Sequence, residues 1–201
     1  MKTLITGGTT PPSDTQDVVS SSAPFPMPAV TVPQALLPYC NDFTVQGNTT
    51  ETLSPTGGAD LNGDGIGDGI YCYTNLTIQG NADLTASGPV TLYLTGQLTA
   101  QGNSVVGVPS DPTQMIFLMT STSGAILEPN IQGNNTFYSG IYGPDATVTI
   151  QGNAEVFGSI IANQVNLTGN AEIHYDEAMG TVTQVSNLYK TALVSWREVA
   201  N

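Results

Sequence analysis

Apolar and polar residues alternate in a short pattern that returns six times between residues 43 and 173. Each copy leads into a glycine that is followed by asparagine, and in five copies an apolar residue stands four positions after the glycine. The copies are FTVQGNTTE (43–51), LTIQGNADL (76–84), LTAQGNSVV (98–106), PNIQGNNTF (129–137), VTIQGNAEV (148–156) and VNLTGNAEI (165–173). Alternation with a period of two predicts a strand, and Gly-Asn predicts a turn. Each copy is therefore predicted to be a strand, a sharp corner and a second strand.

The spacing of the copies predicts how these units stack. Successive motif glycines are 33, 22, 31, 19 and 17 residues apart, which suits the coils of a parallel β-helix (β-solenoid) with loops on the longer coils. Coils of this kind stack about 4.8 Å apart, so asparagines at one corner can form a hydrogen-bonded ladder. We therefore predict an all-β fold in which the corners lie in register. The alternative is a β-sandwich with recurrent hairpins, because Gly-Asn also occurs in hairpin turns.

The two ends of the chain differ from the repeats. Residues 1–40 hold seven of the thirteen prolines, so we predict an extended Pro-rich arm without helix or central strand, held by its own domain or by a neighbouring subunit. Residues 41–182 form the predicted β-helix, with a calcium-loop insertion at 59–69. Residues 183–201 break the repeat, and we predict a C-terminal cap in which Leu193 and Trp196 cover the open edge of the last coil.

Charge narrows the classes of partner. The chain has 3 Lys and Arg against 16 Asp and Glu, and no cation lies between residues 3 and 189. Binding of nucleic acid or of anionic lipid requires clustered cations, so neither is expected. Solubility that depends on Thr, Asn, Gln and Ser is typical of exported surface proteins. No run of 18 apolar residues occurs, so no membrane span is expected, and MKTLITGGTT at the start lacks the apolar segment of a signal peptide.

Two cysteines, Cys40 and Cys72, lie outside any CxxC or Cys/His cluster, which argues against a zinc site. A structural disulfide between them suits an exported, extracellular or cell-surface protein. The alternative is a pair of buried free thiols.

The most specific local motif is an aspartate- and glycine-rich loop. With Asp60 as position 1, side-chain oxygens fall at positions 1, 3, 5 and 9, and Gly65 falls at position 6, where such a loop turns sharply. This resembles the calcium loops of EF-hand, dockerin and thrombospondin-type repeats. The predicted Ca²⁺ ligands are Asp60, Asn62, Asp64, the backbone carbonyl of Ile66, and Asp68. Tyr71 replaces the glutamate of position 12, so a water, Asp42 or Glu51 would complete the shell. The alternative is a turn without metal.

Other chemical groups are weaker candidates. Asp83, Glu155 and Glu172 each follow a motif glycine by three residues, which predicts a solvated outer column in preference to a catalytic pair. His174 is the only histidine, and we predict a packing or hydrogen-bonding role for it. No catalytic residue is predicted.

One stretch of sequence resembles a known family. GNAEVFGSIIANQVNLTGNAEIHYDEAMG (152–180) and LVSWREV (193–199) are similar to the C-terminal β-helical domain of PilX-type proteins, which are bacterial type IV pilus-associated proteins. The resemblance extends more weakly, through the repeat alone, to about residue 43. It implies an exported, surface-associated protein without enzymatic activity. The chain departs from that family in having no N-terminal hydrophobic pilin-like helix.

These observations predict a non-enzymatic structural or assembly component of an extracellular bacterial pilus or filament. We expect it to associate with copies of itself or with other filament subunits, through the 1–40 arm, and to be stabilised by Ca²⁺. The alternative is a surface adhesin or glycan-binding module, in which Tyr93, Tyr138 and Tyr142 would stack on sugars, although we expect most of these rings to serve packing. A polysaccharide hydrolase that uses carboxylates alone is less favoured. A lyase is argued against, because it would need cations that residues 3–189 lack.

Overall fold

The computed structural model of the protein describes residues 27–120 and 130–181. Strands dominate this part of the chain, joined by three short 3₁₀ helices, Gln34–Tyr39, Pro112–Gln114 and Glu177–Thr181. The strands are β1 (Asn41–Gly47), β2 (Thr50–Leu53), β3 (Ile70–Gly80), β4 (Asp83–Ala86), β5 (Val90–Leu94), β6 (Leu98–Gly102), β7 (Val105–Gly107), β8 (Met115–Met119), β9 (Asn130–Gly133), β10 (Thr136–Gly152), β11 (Glu155–Gly169) and β12 (Glu172–Tyr175).

Every pairing between these strands is parallel. The long strand β10 pairs with β7 through 136–138, with β8 through 140–142 and with β9 through 149–152. Because one strand reaches three neighbours in turn, the sheet nearly closes on itself. The fold is therefore all-β and built from parallel strands. The alternative of recurrent antiparallel hairpins is wrong for the part of the chain that the structure describes.

The motif glycines lie in register, as predicted. Gly47 pairs with Gly80, and the series continues through Gly102, Gly133, Gly152 and Gly169 without a shift at any step. The apolar positions on either side of the corner face the core. Val45, Ile78, Ala100 and Ile150 are buried before it, and Leu84, Val106, Phe137 and Val156 are buried after it. Alternation with a period of two produces this pattern because successive side chains point to opposite faces of a strand.

The space around the corner glycines shows how closely neighbouring corners approach each other. Gly47 has φ +83° and Gly102 has φ +101°, a left-handed conformation that costs any residue with a Cβ about 1–2 kcal/mol. A Cβ on Gly47 would meet no atom within 4 Å, whereas one on Gly102 would collide with the carbonyl oxygen of Gly80. We expect Gly47→Ala to lower the free energy of unfolding by about 1 kcal/mol and Gly102→Ala by about 2. Equal losses in urea unfolding would contradict the close approach of neighbouring corners.

The described part of the N-terminal segment packs on its own domain. The Tyr142 hydroxyl donates a hydrogen bond of 2.6 Å to the Pro28 carbonyl, and Val30 and Val32 pack against a cluster that contains Leu36. The prediction that no helix forms here is wrong for Gln34–Tyr39, which is a 3₁₀ helix with Pro38 inside it. The helix is short, and its ends are held by hydrogen bonds from Leu36 N–H to Pro33 O and from Cys40 N–H to Leu37 O. Pro38 has no N–H, but neither of these two bonds needs one from it. Residues 1–26 of the predicted arm and the predicted cap over 183–201 lie outside the described residues.

Candidate metal-binding loop and surface ladders

Cys40 and Cys72 form a disulfide, as predicted, and no free cysteine remains. Cys72 lies in β3 and is buried with Leu36, Ile70 and Tyr93. Cys40 follows the 3₁₀ helix directly, so the bond ties the N-terminal segment to the second turn of the repeat. The bond also anchors β3, the strand that follows the segment between β2 and β3. This segment, which we call the excursion, carries the aspartate-rich loop.

The side chains of this loop fold it through backbone hydrogen bonds. The Asp60 carboxylate accepts from the N–H groups of Gly63 and Gly65, at 2.6 and 2.8 Å. Asn62 Oδ1 accepts from Asp64 N–H at 2.9 Å, and Asp64 Oδ1 accepts from Ile66 N–H at 2.8 Å. Asp68 closes the loop by accepting from Leu61 N–H at 2.8 Å and from Asn62 Nδ2 at 2.9 Å. All four predicted side-chain ligands are thus brought into one connected turn.

The chemistry of this donor set fits Ca²⁺, which takes six to eight hard oxygen ligands from a flexible loop. A carboxylate has about four lone-pair sites, so Asp60 and Asp68, which each accept two hydrogen bonds, keep acceptor capacity for a cation. However, within residues 27–120 and 130–181 no three acidic, histidine or cysteine side chains are grouped in a way that could already hold a metal. Binding would therefore require the carboxylates to turn inward together.

The extra ligands considered from the sequence lie elsewhere. Asp42 Oδ1 accepts hydrogen bonds from the backbone N–H and the side-chain amide of Asn75, at 3.1 and 2.8 Å. Glu51 is exposed on β2 and pairs in register with Leu84 of β4. Ile66, whose carbonyl was predicted to bind the ion, has a side chain that is 55% exposed.

A tyrosine whose contact the sequence did not predict holds the base of the excursion. The Tyr71 hydroxyl accepts from Ser54 N–H and donates to Ser54 O, both at 2.9 Å. Tyr71 occupies position 12 of the calcium-loop numbering, where a glutamate would otherwise bind the ion. Its role here is to join β3 to the end of β2. Only the fold reveals this contact, since the two residues are 17 positions apart.

The corner asparagines form the predicted ladder. The Nδ2 of Asn81 donates to Oδ1 of Asn48, and the same bond repeats from Asn103 to Asn81, Asn134 to Asn103, Asn153 to Asn134 and Asn170 to Asn153. The five distances lie between 2.9 and 3.1 Å. Each asparagine is exposed, so the ladder joins successive turns along the surface without any ion pair.

A second column on the outer wall is aromatic. Tyr138 stacks on Phe157 with ring centroids 5.1 Å apart, and Phe157 stacks on His174 at 4.4 Å. His174 Nε2 also lies 3.3 Å from Glu172 Oε2. The predicted packing role of His174 is therefore confirmed. Glu155 pairs in register with Glu172 on the neighbouring strand, as the stacked outer column predicts.

The tyrosines considered for sugar stacking are used in packing. Tyr93 is 4% exposed, so its ring faces the core cluster and not a ligand. Tyr138 gives a ring face to Phe157, and Tyr142 uses its hydroxyl to hold Pro28. These contacts agree with the expectation that most of the three rings serve packing.

A family model described as a domain of unknown function, DUF7305, matches residues 41–182, which is more than half of the chain. The chain belongs to the DUF7305 family. No curated protein matches the chain, and no solved structure matches it. Among the described residues of the DUF7305 domain and its N-terminal segment, no helix has the length and apolar character needed to cross a membrane.

Three ionisable groups of the DUF7305 domain have clearly shifted pKa values, and the first is Tyr142, whose pKa is raised by burial and then by the charge of Asp145. Burial, and then the neighbouring Tyr71 and Glu51, raise the pKa of Tyr73 well above its ordinary value. Hydrogen bonds from the side chains of Thr113 and Gln114 lower the pKa of Asp111, which lies beside the Pro112–Gln114 turn. None of these residues lies in the aspartate-rich loop.

The shift at Tyr73 predicts a loss of stability in alkali. A tyrosine in the unfolded chain ionises near pH 10, whereas folded Tyr73 keeps its proton to higher pH. As the pH rises, the unfolded state therefore releases this proton before the folded state does. The stability that the protonated Tyr73 gives the fold is complete below pH 10 and is lost as the pH rises above it. We expect the free energy of unfolding of Tyr73→Phe to fall less steeply than that of the wild type above pH 10, as measured by urea unfolding. Identical slopes for the two proteins would contradict the role of Tyr73.

Proposed function

We propose that this DUF7305 protein is a non-enzymatic structural or assembly component of an extracellular bacterial appendage, such as a pilus or filament. The observation that carries the proposal is the asparagine ladder, in which five successive hydrogen bonds join six turns of the chain through uncharged surface groups. Satisfied polar ladders of this kind rigidify a stacked structure and do not weaken with salt, as ion pairs do. A rigid, salt-tolerant rod is what an extracellular scaffold needs.

The proposal includes a parallel β-helix as the finer architecture. The parallel pairings repeat with each turn of the chain, and glycine follows glycine through six corners. In a β-helix each turn contacts only its neighbours, so stability grows with the number of turns. The side-chain columns, apolar inside and polar or aromatic outside, are the arrangement that such stacking requires.

Export to the cell surface is supported by the disulfide and by the surface composition. Structural disulfides persist in oxidising compartments. The solubility of a surface made of Thr, Asn and Gln does not depend on charged groups. The PilX-type assignment is part of the proposal and rests on the resemblance of residues 152–180 and 193–199. Self-association, or binding to other filament subunits, is assigned to the N-terminal arm. Residues 27–39 are already packed on their own domain, so residues 1–26 would make that contact.

The location and the assembly can be tested on native cells. Alkylation of free thiols before lysis should leave Cys40 and Cys72 unmodified, and antibody labelling viewed by electron microscopy should mark surface fibres. The matched control is a chain without residues 1–26, which should reach the surface with the same disulfide but leave the fibres. Alkylated cysteines and a purely internal label would contradict the proposal. A surface label on single particles only, with the full chain monomeric at every concentration, would contradict its assembly role.

Calcium is proposed to lock the excursion between β2 and β3 onto the first turn. Bound Ca²⁺ at 100 times its dissociation constant would stabilise the fold by about 2.7 kcal/mol. We therefore expect chelation to lower the melting temperature and to open residues 59–69 to protease. The variant Asp60→Asn with Asp68→Asn should lose the calcium response, whereas Asp145→Asn, an exposed acid on β10, should keep it. A melting temperature that is unchanged by chelation, with no metal in the purified protein, would contradict the calcium role.

A further inference from the structure

The C-terminal edge of the sheet exposes two apolar columns that are buried on the preceding strands. Leu167 continues the column of Ile150 and is 50% exposed, and Ile173 continues the column of Val156 and is 37% exposed. Ile150 and Val156 are both fully buried. The difference arises because no later strand in the described residues covers the last turn. Tyr175, 62% exposed, extends the same edge.

The backbone of this edge is open as well. β12 pairs only with β11 among the described strands. One side of Glu172–Tyr175 therefore presents unpaired N–H and C=O groups, beside the exposed side chains of Ile173 and Tyr175. An open apolar edge of this kind invites pairing with another segment. The edge is thus suited to bind another segment of polypeptide.

The opposite end of the stack is a poor partner for this edge. Val45 and Leu53, on the first turn, are only 5% and 3% exposed, so little apolar surface remains there. The column of Val156 and Ile173 begins at that end with Glu51. A second copy stacked head to tail would place the Glu51 carboxylate against Ile173. Burial of an unpaired charge is costly, and inward-pointing charges are a known protection of sheet ends.

We propose that residues 182–201 of the same chain dock on the edge formed by Leu167, Ile173 and Tyr175. The described chain runs out beside this surface: a Cβ placed on Gly180 would lie 3.8 Å from the Tyr175 hydroxyl. The segment that follows has apolar residues at intervals of three and four, the spacing of one face of a helix. They are Val182, Val185, Tyr189, Ala192, Trp196 and Val199.

Charge favours the same occupant. The edge carries Glu172, Asp176 and Glu177 within six residues. Two of the three cations of the whole chain, Lys190 and Arg197, lie in the segment 182–201. In a chain of net charge −13, this segment carries two cations against one anion, Glu198. It therefore complements the acidic, apolar edge, where a second copy of the repeat domain would add like charge.

The single tryptophan of the chain, Trp196, reports on docking directly. In the full-length protein we expect Trp196 to be several-fold less accessible to acrylamide than free N-acetyltryptophanamide. Ile173→Asp, at the edge, should raise the quenching constant toward the free value. The matched control is Leu37→Asp, since Leu37 is 52% exposed on the Gln34–Tyr39 turn and lies far from the edge along the chain. This control should leave the quenching constant unchanged. Wild-type quenching equal to that of the free amide would overturn the proposal.

A second variant keeps the proposal testable if Ile173→Asp unfolds. Lys190→Glu with Arg197→Glu removes the charge attraction without touching the described domain, and it should raise the quenching of Trp196. In the wild type, added salt should raise it in the same direction. Quenching that neither change affects would overturn the charge argument. Protection of Trp196 that appears only as the protein concentration rises would assign the edge to a second copy and overturn docking within one chain.

Discussion

Replacement of Phe137 by alanine is expected to lower the free energy of unfolding by about 3–5 kcal/mol. Phe137 lies in β10 within the buried column that follows the corners, and it is fully buried. Its ring lies 6.3 Å from that of Phe117, at an angle of 45°, so the two rings fill the centre of the sheet together. Truncation would leave a cavity that neighbouring strands cannot close, because their positions are held by pairing on both sides. Urea unfolding of the two proteins measures the difference.

The control for this change is Phe157→Ala. Phe157 comes from the neighbouring strand, β11, one position along from the equivalent buried residue, Val156. It therefore points outward, where it stacks between Tyr138 and His174 and is partly exposed. We expect a loss of about 1 kcal/mol, the value of an aromatic contact at the surface. A larger loss for Phe157 than for Phe137 would contradict the assignment of inner and outer columns.

Removal of the disulfide is expected to cost about 3–4 kcal/mol, because the bond closes a loop whose ends are 32 residues apart. The cross-link restricts the unfolded chain over the whole of this loop, which contains β1, β2 and the aspartate-rich excursion. Burial of Cys72 among Leu36, Ile70 and Tyr93 adds packing that alanine would lose. Thermal unfolding of Cys40→Ala with Cys72→Ala, compared with the wild type, measures the combined effect.

The same pair of proteins separates the cross-link from the packing. Reductant should lower the melting temperature of the wild type and leave that of the double variant unchanged. A wild type that melts at the same temperature with and without reductant, once its thiols are shown to be free, would refute the stabilising role of the bond. The excursion should also become more sensitive to protease in the reduced wild type, because Cys72 anchors its far end.

The repeat could be predicted from the sequence because each copy shows two independent structural signals. A corner with positive φ requires glycine, and a strand with one buried face requires alternation, so Gly80 and Ile78 carry separate signals of the same unit. The register of six glycines and the ladder through Asn81 follow from spacing alone, because identical residues at one corner must stack when the strands are parallel. The disulfide was predictable for a simpler reason, since the chain holds only two cysteines.

Several features of the candidate site had no signal of this kind. Asn135 is a buried polar residue in a column otherwise made of small residues, and it is satisfied by Ser104 and by the carbonyl of Ala100. Tyr71 bonds to Ser54 across the excursion, and His174 completes an aromatic column with Tyr138 and Phe157. Each of these contacts joins residues whose separation differs from turn to turn. Because the loops between the copies differ in length, a sequence pattern with a fixed period cannot predict these contacts.

The sequence by itself determined which residues recur at each corner, which positions alternate into the core and which side chains could offer oxygen to a cation. These are local properties, set by φ angles and by the two faces of a strand. Only the tertiary structure decided that Glu51 begins one column of paired residues and that Ile173 lies exposed at the other end of the same column. Burial depends on whether a further strand follows, and that is a property of the sheet as a whole and not of any one strand.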